Sequence, residues 1–457
     1  MGAISTNAAI ASLLKVYYKE GVQNLFYRNS PVLAKIGKER VEGKSQNFNA
    51  MYGHGGACAG DFTKALSVAA SVPQDVEYAV TPGQLFSVYT MNAKEVQASL
   101  TQKGAYMKVA GAKMFAASES FRKMMAASLY GRGFGEIAKL TAAYTFVANT
   151  AIDITLPNNA IMAISVGSVL SEKSSVGAST VNTELTVNSI SGTTVNVTPS
   201  LSFTGAIGDI VCFAGSMNAG NPILPMGLAG WLPTVGKRTG AAWNTYIGTS
   251  FFGVNRSINP DKLAGNFYAA GASEKLSTSV QKLILLCRRC GSKADLIAMN
   301  DEDFLTFTQE IQTTNTYFTA TSTKEKRKAN VGISDVSASF STNTVENIYD
   351  DPYCPKGVFY VLDTGTVKLY TYTNVDKLND GVTGNEAGKE EPIVMNDEGQ
   401  EKTPYGLIID NYLNVQSGTA TVDGPSVNCT LQLFGSFVVE NTSVNGVGLF
   451  DGAVTLE

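Results

Sequence analysis

The sequence predicts an α+β fold, and three observations predict it. From Ala105 to Tyr130, Met107, Met114 and Phe121 recur every seven residues and are joined by Ala110, Ala117, Met124 and Met125, the apolar stripe of one long helix. Residues 150–216 are almost purely β in composition. Beyond Pro260 helical and strand-like stretches alternate, which is the pattern of an α/β unit.

Each element follows from a local pattern. Residues 7–28 place Ile10, Leu13, Leu14, Tyr17, Tyr18, Leu25 and Phe26 at broadly helical spacing, broken at Gly21, and read as an arm with an apolar face. From Gln46 to Met91 the composition shifts to Gly, Ala, Ser and Thr. Within it Val76–Val80 and Leu85–Tyr89 alternate weakly, predicting an extended hairpin with almost no core of its own. Such a hairpin needs a neighbour to lie on. The helix from Ala105 to Tyr130 spans about 26 residues, close to 40 Å, and stops at Gly131-Arg132-Gly133-Phe134-Gly135.

In the β-rich segment Leu185-Thr186-Val187 and Val195-Asn196-Val197 alternate about a Ser191-Gly192 turn, and Ile210–Phe213 follows, so a small sandwich or barrel is expected as an insertion. Gly227–Pro233 then holds Trp231, one of only two tryptophans. The α/β part predicts a helix near Ser277–Cys290, a strand at Asp295–Met299 and a helix at Asp301–Ile311 whose acidic first turn suits the helix dipole. Further strands are expected at Val358–Leu362, Val367–Thr371, Leu407–Ile409 and Asn428–Glu440.

Composition narrows the function. The 457 residues suffice for about three average domains. Charged residues are only 16% against a globular norm of about 25%, so much of the surface is expected to be covered by neighbours. With 35 Lys and Arg against 39 Asp and Glu, the chain lacks the basic excess of a nucleic-acid reader. His54 is the only histidine, in the loop Gly53-His54-Gly55-Gly56, which excludes multi-histidine metal centres and leaves this one imidazole as the sole candidate base for Ser-His-Asp or Cys-His catalysis. We read it as an exposed loop residue. Six cysteines, at 58, 212, 287, 290, 354 and 429, are too sparse for a disulfide framework and point to a reducing compartment. Cys287-Arg288-Arg289-Cys290 comes late on its helix, where no dipole activates a thiol, and has no second pair for zinc.

The near match to a phosphate loop, Gly37 to Gly43-Lys44-Ser45, has one residue too many for successive amides to wrap a phosphate. The run Asn300-Asp301-Glu302-Asp303 lacks the glycine and closing glutamate of a calcium loop. Ala8–Leu14 lacks a positively charged stretch before it and runs into Lys15 and Lys19, so no signal peptide is expected. Ile210–Gly236, the longest charge-free stretch, is interrupted by Pro222, Pro225 and Pro233, so a soluble chain without a membrane span is expected. No catalytic, cofactor-binding or metal residue is nominated, and no cofactor.

Several segments together resemble the major capsid protein of tailed bacteriophages, with the Hong Kong 97 phage capsid fold. They are Tyr18-Lys19-Glu20-Gly21 and Asn29–Ala34, the helix end Ala127–Gly131, Gly227–Pro233, and Phe251–Ser257 leading to Pro260 and Leu263-Ala264-Gly265. The block from Gly227 to Gly265 is the most specific; residues 372–405 and much of the β insertion do not align. The resemblance implies an N-terminal arm (1–45), an extended loop hairpin (46–92), a peripheral domain with the spine helix (93–149), a connecting segment returning to the peripheral domain (217–270), an axial α/β domain (271–415) and C-terminal strands returning to the peripheral domain (416–457), with the β-rich domain that composition predicts (150–216) inserted among them.

It also implies a structural protein, not an enzyme, that assembles into hexamers and pentamers of an icosahedral head. That head encloses double-stranded DNA without sequence-specific binding. The implied partners are a portal, a cement or decoration protein and, because the arm begins at Met1 without a preceding coiled coil, a separate scaffolding protein. Assembly is expected in the host bacterial cytoplasm. Two rival readings are another self-assembling subunit, of a tail tube or surface layer, and a carboxylate-based glycosidase. The former does not predict the long helix before an α/β domain, and nothing in the spacing selects a carboxylate pair for the latter.

Overall fold

The computed structural model describes residues 30–41, 44–53, 59–68, 74–92, 109–174, 181–218, 221–234, 250–271, 273–314, 338–340, 343–345, 347–371, 408–412 and 426–450. The arm up to Asn29, His54, Cys58, Met107 and residues 372–407 lie outside them, as do the side chains of Ala110 and Met114.

The spine helix runs from Val109 to Leu129. Its described apolar stripe is buried as the sequence predicts, with Ala117, Phe121, Met125, Ala126 and Leu129 turned into the core. It ends where the glycines begin: Gly133 and Gly135 adopt φ of 80° and 68°, which a side chain rarely tolerates. The helix lies on a sheet organised around the long strand Ser426–Val439, which pairs antiparallel with Gly83–Asn92, Ile408–Tyr412 and Val367–Thr371. Gly37–Arg40 adds a parallel edge to Lys368–Thr371. Leu85, Leu433 and Phe437 face the core beneath the helix, and the Ser87 hydroxyl donates to the Ala117 carbonyl at 3.2 Å.

The inserted unit is a six-stranded antiparallel sheet in the order 136–139, 210–213, 169–173, 183–191, 194–199, 152–155. A second ribbon pairs Phe203–Gly205 with Tyr144–Phe146. Gly192, with φ of 59°, makes the tight turn expected at Ser191-Gly192. The unit starts earlier than the expected 150: Glu136–Lys139 and Tyr144–Phe146 pair with Ile210–Cys212 and Phe203–Gly205, so the chain enters the insert directly from the glycine stop of the spine helix.

A five-stranded α/β sheet has the order 266–269, 446–449, 358–362, 296–299, 347–350. Its helices are Leu276–Arg289 and Asp301–Thr314. The first buries Leu276, Val280, Leu283, Ile284 and Cys287, and its opening amides, of Leu276 and Ser277, donate to the two carboxylate oxygens of Glu310 on the second.

The strand partners cut across the expected 271–415 and 416–457 units. Gly446–Leu449 joins the α/β sheet, lying parallel to Asn266–Ala269, whereas Val367–Thr371 and Ile408–Tyr412 join the helix-backed sheet. The crossing is made by the turn 363–366, where Thr366 N donates to Asp363 O and Glu440 N to Thr366 O, so one short connection carries the chain from the first sheet to the second.

The hairpin also differs from the expected 46–92. Gln46–Gly53 pairs with Gln74–Val80, with the short helix Phe62–Val68 between them. Gly83–Asn92 leaves the hairpin for the helix-backed sheet. Pro82 cannot donate to a ladder, and Gly83 comes so close to Leu224 and Pro225 that a Cβ would stand 2.4 Å from the Pro225 nitrogen. The chain turns there, fastened by Gln84 N donating to Ile223 O at 2.7 Å.

Candidate assembly surfaces

Along the hairpin, Gln46–Gly53 alternates exposed and half-buried residues and contributes no fully buried side chain. Met51, Phe62 and Leu66 are all more than 60% exposed. Among the described residues of the hairpin only the root is buried, at Tyr78 and Val80. The hairpin is made by Gln46–Gly53 with Gln74–Val80 and not, as the alternation suggested, by Val76–Val80 with Leu85–Tyr89, whose second strand joins the helix-backed sheet.

The root is held by an aromatic cluster around Trp231. Tyr78 stacks on Phe48 at 5.2 Å between ring centroids and approaches Trp231 at 5.4 Å. Phe251 meets Trp231 edge-on at 4.9 Å, and Phe252 stacks on it at 5.5 Å. The indole N–H donates to the Phe437 carbonyl at 2.7 Å, tying the cluster to the helix-backed sheet. Arg256, fully buried, lays its guanidinium 3.7 Å over the Phe251 ring and donates from Nη1 to the carbonyls of Gly230 and Trp231 at 3.0 and 3.1 Å. Its charge is thus placed against a π face and two carbonyl dipoles. Burial pushes the Tyr78 hydroxyl up to about 12, and the nearby Arg256 opposes the rise; the hydroxyl stays a donor, to Leu263 O at 3.1 Å. Gly227 is needed beneath the cluster, since a Cβ there would lie 2.1 Å from the Ser128 carbonyl oxygen.

A second anchor stands where the arm enters the folded body. Ser30 caps the short helix Pro31–Lys35, accepting from Leu33 N at 3.2 Å, and donates its hydroxyl to the buried Asp351. Tyr130, just past the spine helix, donates to the same carboxylate oxygen at 3.0 Å, and Tyr353 N donates to the other at 3.0 Å. Burial raises the Asp351 carboxyl above its ordinary range while these donors oppose the rise. Ser30, Tyr130 and Asp351 thus bring the arm, spine helix and α/β sheet to one point.

The residues weighed for chemistry do not converge. Cys212 and Cys287 are buried and pushed up to about 12 by burial, Cys354 is buried and raised well above its ordinary value, and Cys290 is exposed at the end of its helix. Among the described residues no group of three His, Cys, Asp or Glu side chains is placed to hold a metal ion, and no helix is long and apolar enough to cross a membrane. Asp301–Asp303 open a helix as expected, with Asn300 Oδ1 accepting from Glu302 N.

Sequence reasoning missed Arg256, Asp351 and Ser30 as organising residues. Arg256 carried a signal: a lone cation in an aromatic run, in a chain with few charges. Asp351 carried none, because its partners Ser30 and Tyr130 lie 321 and 221 residues away.

No family model matches the sequence, and none of the curated proteins matches it. Among solved structures, a chain of the cyanophage A-1(L) capsid asymmetric unit aligns with 96% of this chain and 98% of its own length, at a TM-score of 0.55 and 13% identity. A structure from Mycobacterium phage Adephagia aligns with 99% of this chain and 100% of its own, at a TM-score of 0.45 and 10% identity. The capsid of a native GTA particle aligns over 98% and 99%, at 0.45 and 9%. The cyanophage likeness runs over nearly the whole of both chains, and the fold is the phage capsid fold that the sequence resemblance implies.

Proposed function

We propose that this chain is the major capsid protein of a tailed phage, a structural subunit that assembles into the hexamers and pentamers of an icosahedral head. The observation that carries the reading is the near full-length likeness to a chain of the cyanophage A-1(L) capsid asymmetric unit. The hairpin supplies the mechanism. Its apolar groups gain burial only against another subunit, so the free energy of burial becomes free energy of assembly. Many such weak contacts close a shell cooperatively. The slight net negative charge, -4, keeps the inner wall from binding packaged DNA tightly. The partners that fit this role are a separate scaffolding protein, a portal and a cement or decoration protein, with assembly in the host bacterial cytoplasm and the virion as the mature location. The role is structural and not enzymatic.

The test is negative-stain electron microscopy of the purified chain, with and without a co-expressed scaffold, beside a triple variant Met51→Ser, Phe62→Ser, Leu66→Ser. Wild-type protein should give closed shells or rings of five or six, and the variant should stay folded but unassembled. Because all three side chains are exposed, its melting temperature should fall within about 2 °C of wild type. Shells from the variant would remove the hairpin from the mechanism. Filaments from wild-type protein would favour a tail-tube subunit, and small monodisperse particles under every condition would sink the capsid reading.

A further inference from the structure

The inserted sheet contains a buried carboxylate without a donor. Glu172, on the central strand Val169–Lys173, has no solvent exposure, and neither of its carboxylate oxygens has a hydrogen-bond partner among the described residues. Its strand neighbours are Thr183 on one side and Val211 on the other. Asp209, at the end of the loop 206–209, stands two residues before Val211, the strand partner of Glu172, and Asn182 N donates to the Glu172 carbonyl at 2.9 Å, so the Asp209 carboxyl and the Asn182 amide are the polar groups beside the Glu172 carboxyl. Asp209 is itself buried, with Oδ2 accepting from Ala206 N at 2.6 Å. Around the pair stand Lys173, whose Nζ reaches Met217 Sδ at 3.4 Å, and the protonated thiol of Cys212. Beyond Cys212 lies the ion pair of Arg132 with Glu136, and Lys139 lies across Ile210 from Lys173.

Two ionised carboxylates facing each other out of water conflict twice, through mutual repulsion and through lost hydration. One proton between them removes both conflicts, because a neutral carboxyl donates its O–H to the carboxylate beside it. We propose that Glu172 and Asp209 share one proton, and that this proton latches the loop 206–209 onto the inserted sheet. Burial, and next the Asp209 carboxyl beside it, push the Glu172 carboxyl up to about 7, with the Asn182 amide opposing. The loop is the natural part to release. Ile207 at its tip is 72% exposed, and its other ties are backbone bonds, Leu140 N to Asp209 O at 2.8 Å and Gly208 N to Leu140 O at 2.9 Å.

The sign follows from the raised value. A carboxyl whose folded pKa lies above its ordinary 4.5 stabilises the fold in acid, and that stabilisation is lost as pH rises through about 7. The latch is closed at pH 6 and open at pH 8.5, which gives the insert a response to mild alkalinity that does not depend on the capsid reading.

Amide hydrogen exchange of the full chain, followed by mass spectrometry at pH 6, 7 and 8.5 and corrected for intrinsic rates, tests this. Protection in peptides covering 200–215 should fall on the order of tenfold from pH 6 to 8.5 in wild type. Glu172→Gln donates an amide N–H to Asp209 at every pH and should hold protection flat. Asp209→Asn supplies a donor to an ionised Glu172 and should also abolish the slope, so the proposal stays testable if either variant folds poorly. A flat wild-type profile overturns it, and so does an unchanged slope in either variant. Calcium chloride or EDTA at pH 8.5 provides the last arm. Protection restored by the metal and removed by the chelator would mean that a cation, not a proton, bridges the pair, which also overturns the proposal; indifference to both supports it.

Discussion

The inserted sheet and the helix-backed sheet are both largely antiparallel, but they are closed in different ways. In the insert, strand 183–191 meets 194–199 through a two-residue turn, and each further strand comes from within residues 136–213. In the helix-backed sheet Glu39 reaches Lys368 across 329 residues, and Trp231 reaches Phe437 across 206. Closing such loops is entropically costly, although the cost grows only slowly with length, so the second sheet depends on strong burial at a few crossing points. Local pairing makes a unit that tolerates change at its edges. Distant pairing makes one that fails at its crossings.

The largest effect should come from the strongest crossing. Trp231→Ala removes a fully buried ring and the bond to Phe437 O and should cost about 3–5 kcal/mol, read from chemical denaturation. Exchange protection should fall first in peptides from 74–92 and 426–439 and last in 183–199. Equal loss in both sets would erase the distinction between the two sheets.

A pair of glycine replacements sharpens the comparison at intermediate size. Gly83→Ala drives a methyl against the backbone of Leu224 and Pro225 where the chain enters the helix-backed sheet, and should cost about 1–3 kcal/mol. Gly192→Ala meets no atom within 4 Å and strains only its own positive φ, at about 1 kcal/mol. Melting temperatures in the reverse order would show that the local turn matters more than the crossing.

The smallest effect contrasts the insert with the α/β unit through pH. Where Glu172 prefers a proton, Glu274 prefers its charge: hydrogen bonds from the Tyr268 hydroxyl at 2.8 and 2.7 Å, and then from Lys282 at 3.0 Å and Ser279 at 3.1 Å, hold it down at about 2. A lowered pKa stabilises above the ordinary value of 4.5 and is lost as pH falls through about 2. Wild type should melt about 1–2 °C above Glu274→Gln at pH 5, and the two should converge by pH 2. A gap that persists at pH 2 would mean that the glutamate acts through packing.

Much of the secondary structure was legible because its signals are short-range. Val358–Leu362 and Val367–Thr371 coincide with the expected strands, and the spine helix, the Ser191-Gly192 turn and the helix opened by Asp301 stand where spacing put them. Which sheet each strand joins was not legible. Alternation reveals that one face is buried but not what covers it, so nothing local in Val367–Thr371 tells that it leaves the sheet of Val358–Leu362 for the helix-backed one, and Gly446–Leu449 was not foreseen as a strand at all. The surface groups of the hairpin were legible as a composition, while its root was not: Phe48, Tyr78, Trp231, Phe251 and Arg256 are scattered over more than 200 residues of sequence.

The sequence by itself determined the spine helix, the Ser191-Gly192 turn, the strands of clear alternation and a hairpin poor in apolar residues. Each rests on composition or on contacts within a turn or two. The tertiary structure alone decided where the chain crosses between sheets, that Asp351 gathers Ser30 and Tyr130, and that Glu172 confronts Asp209. Those facts depend on burial between distant segments, where desolvation changes what a hydroxyl or carboxyl does, and no local pattern encodes that.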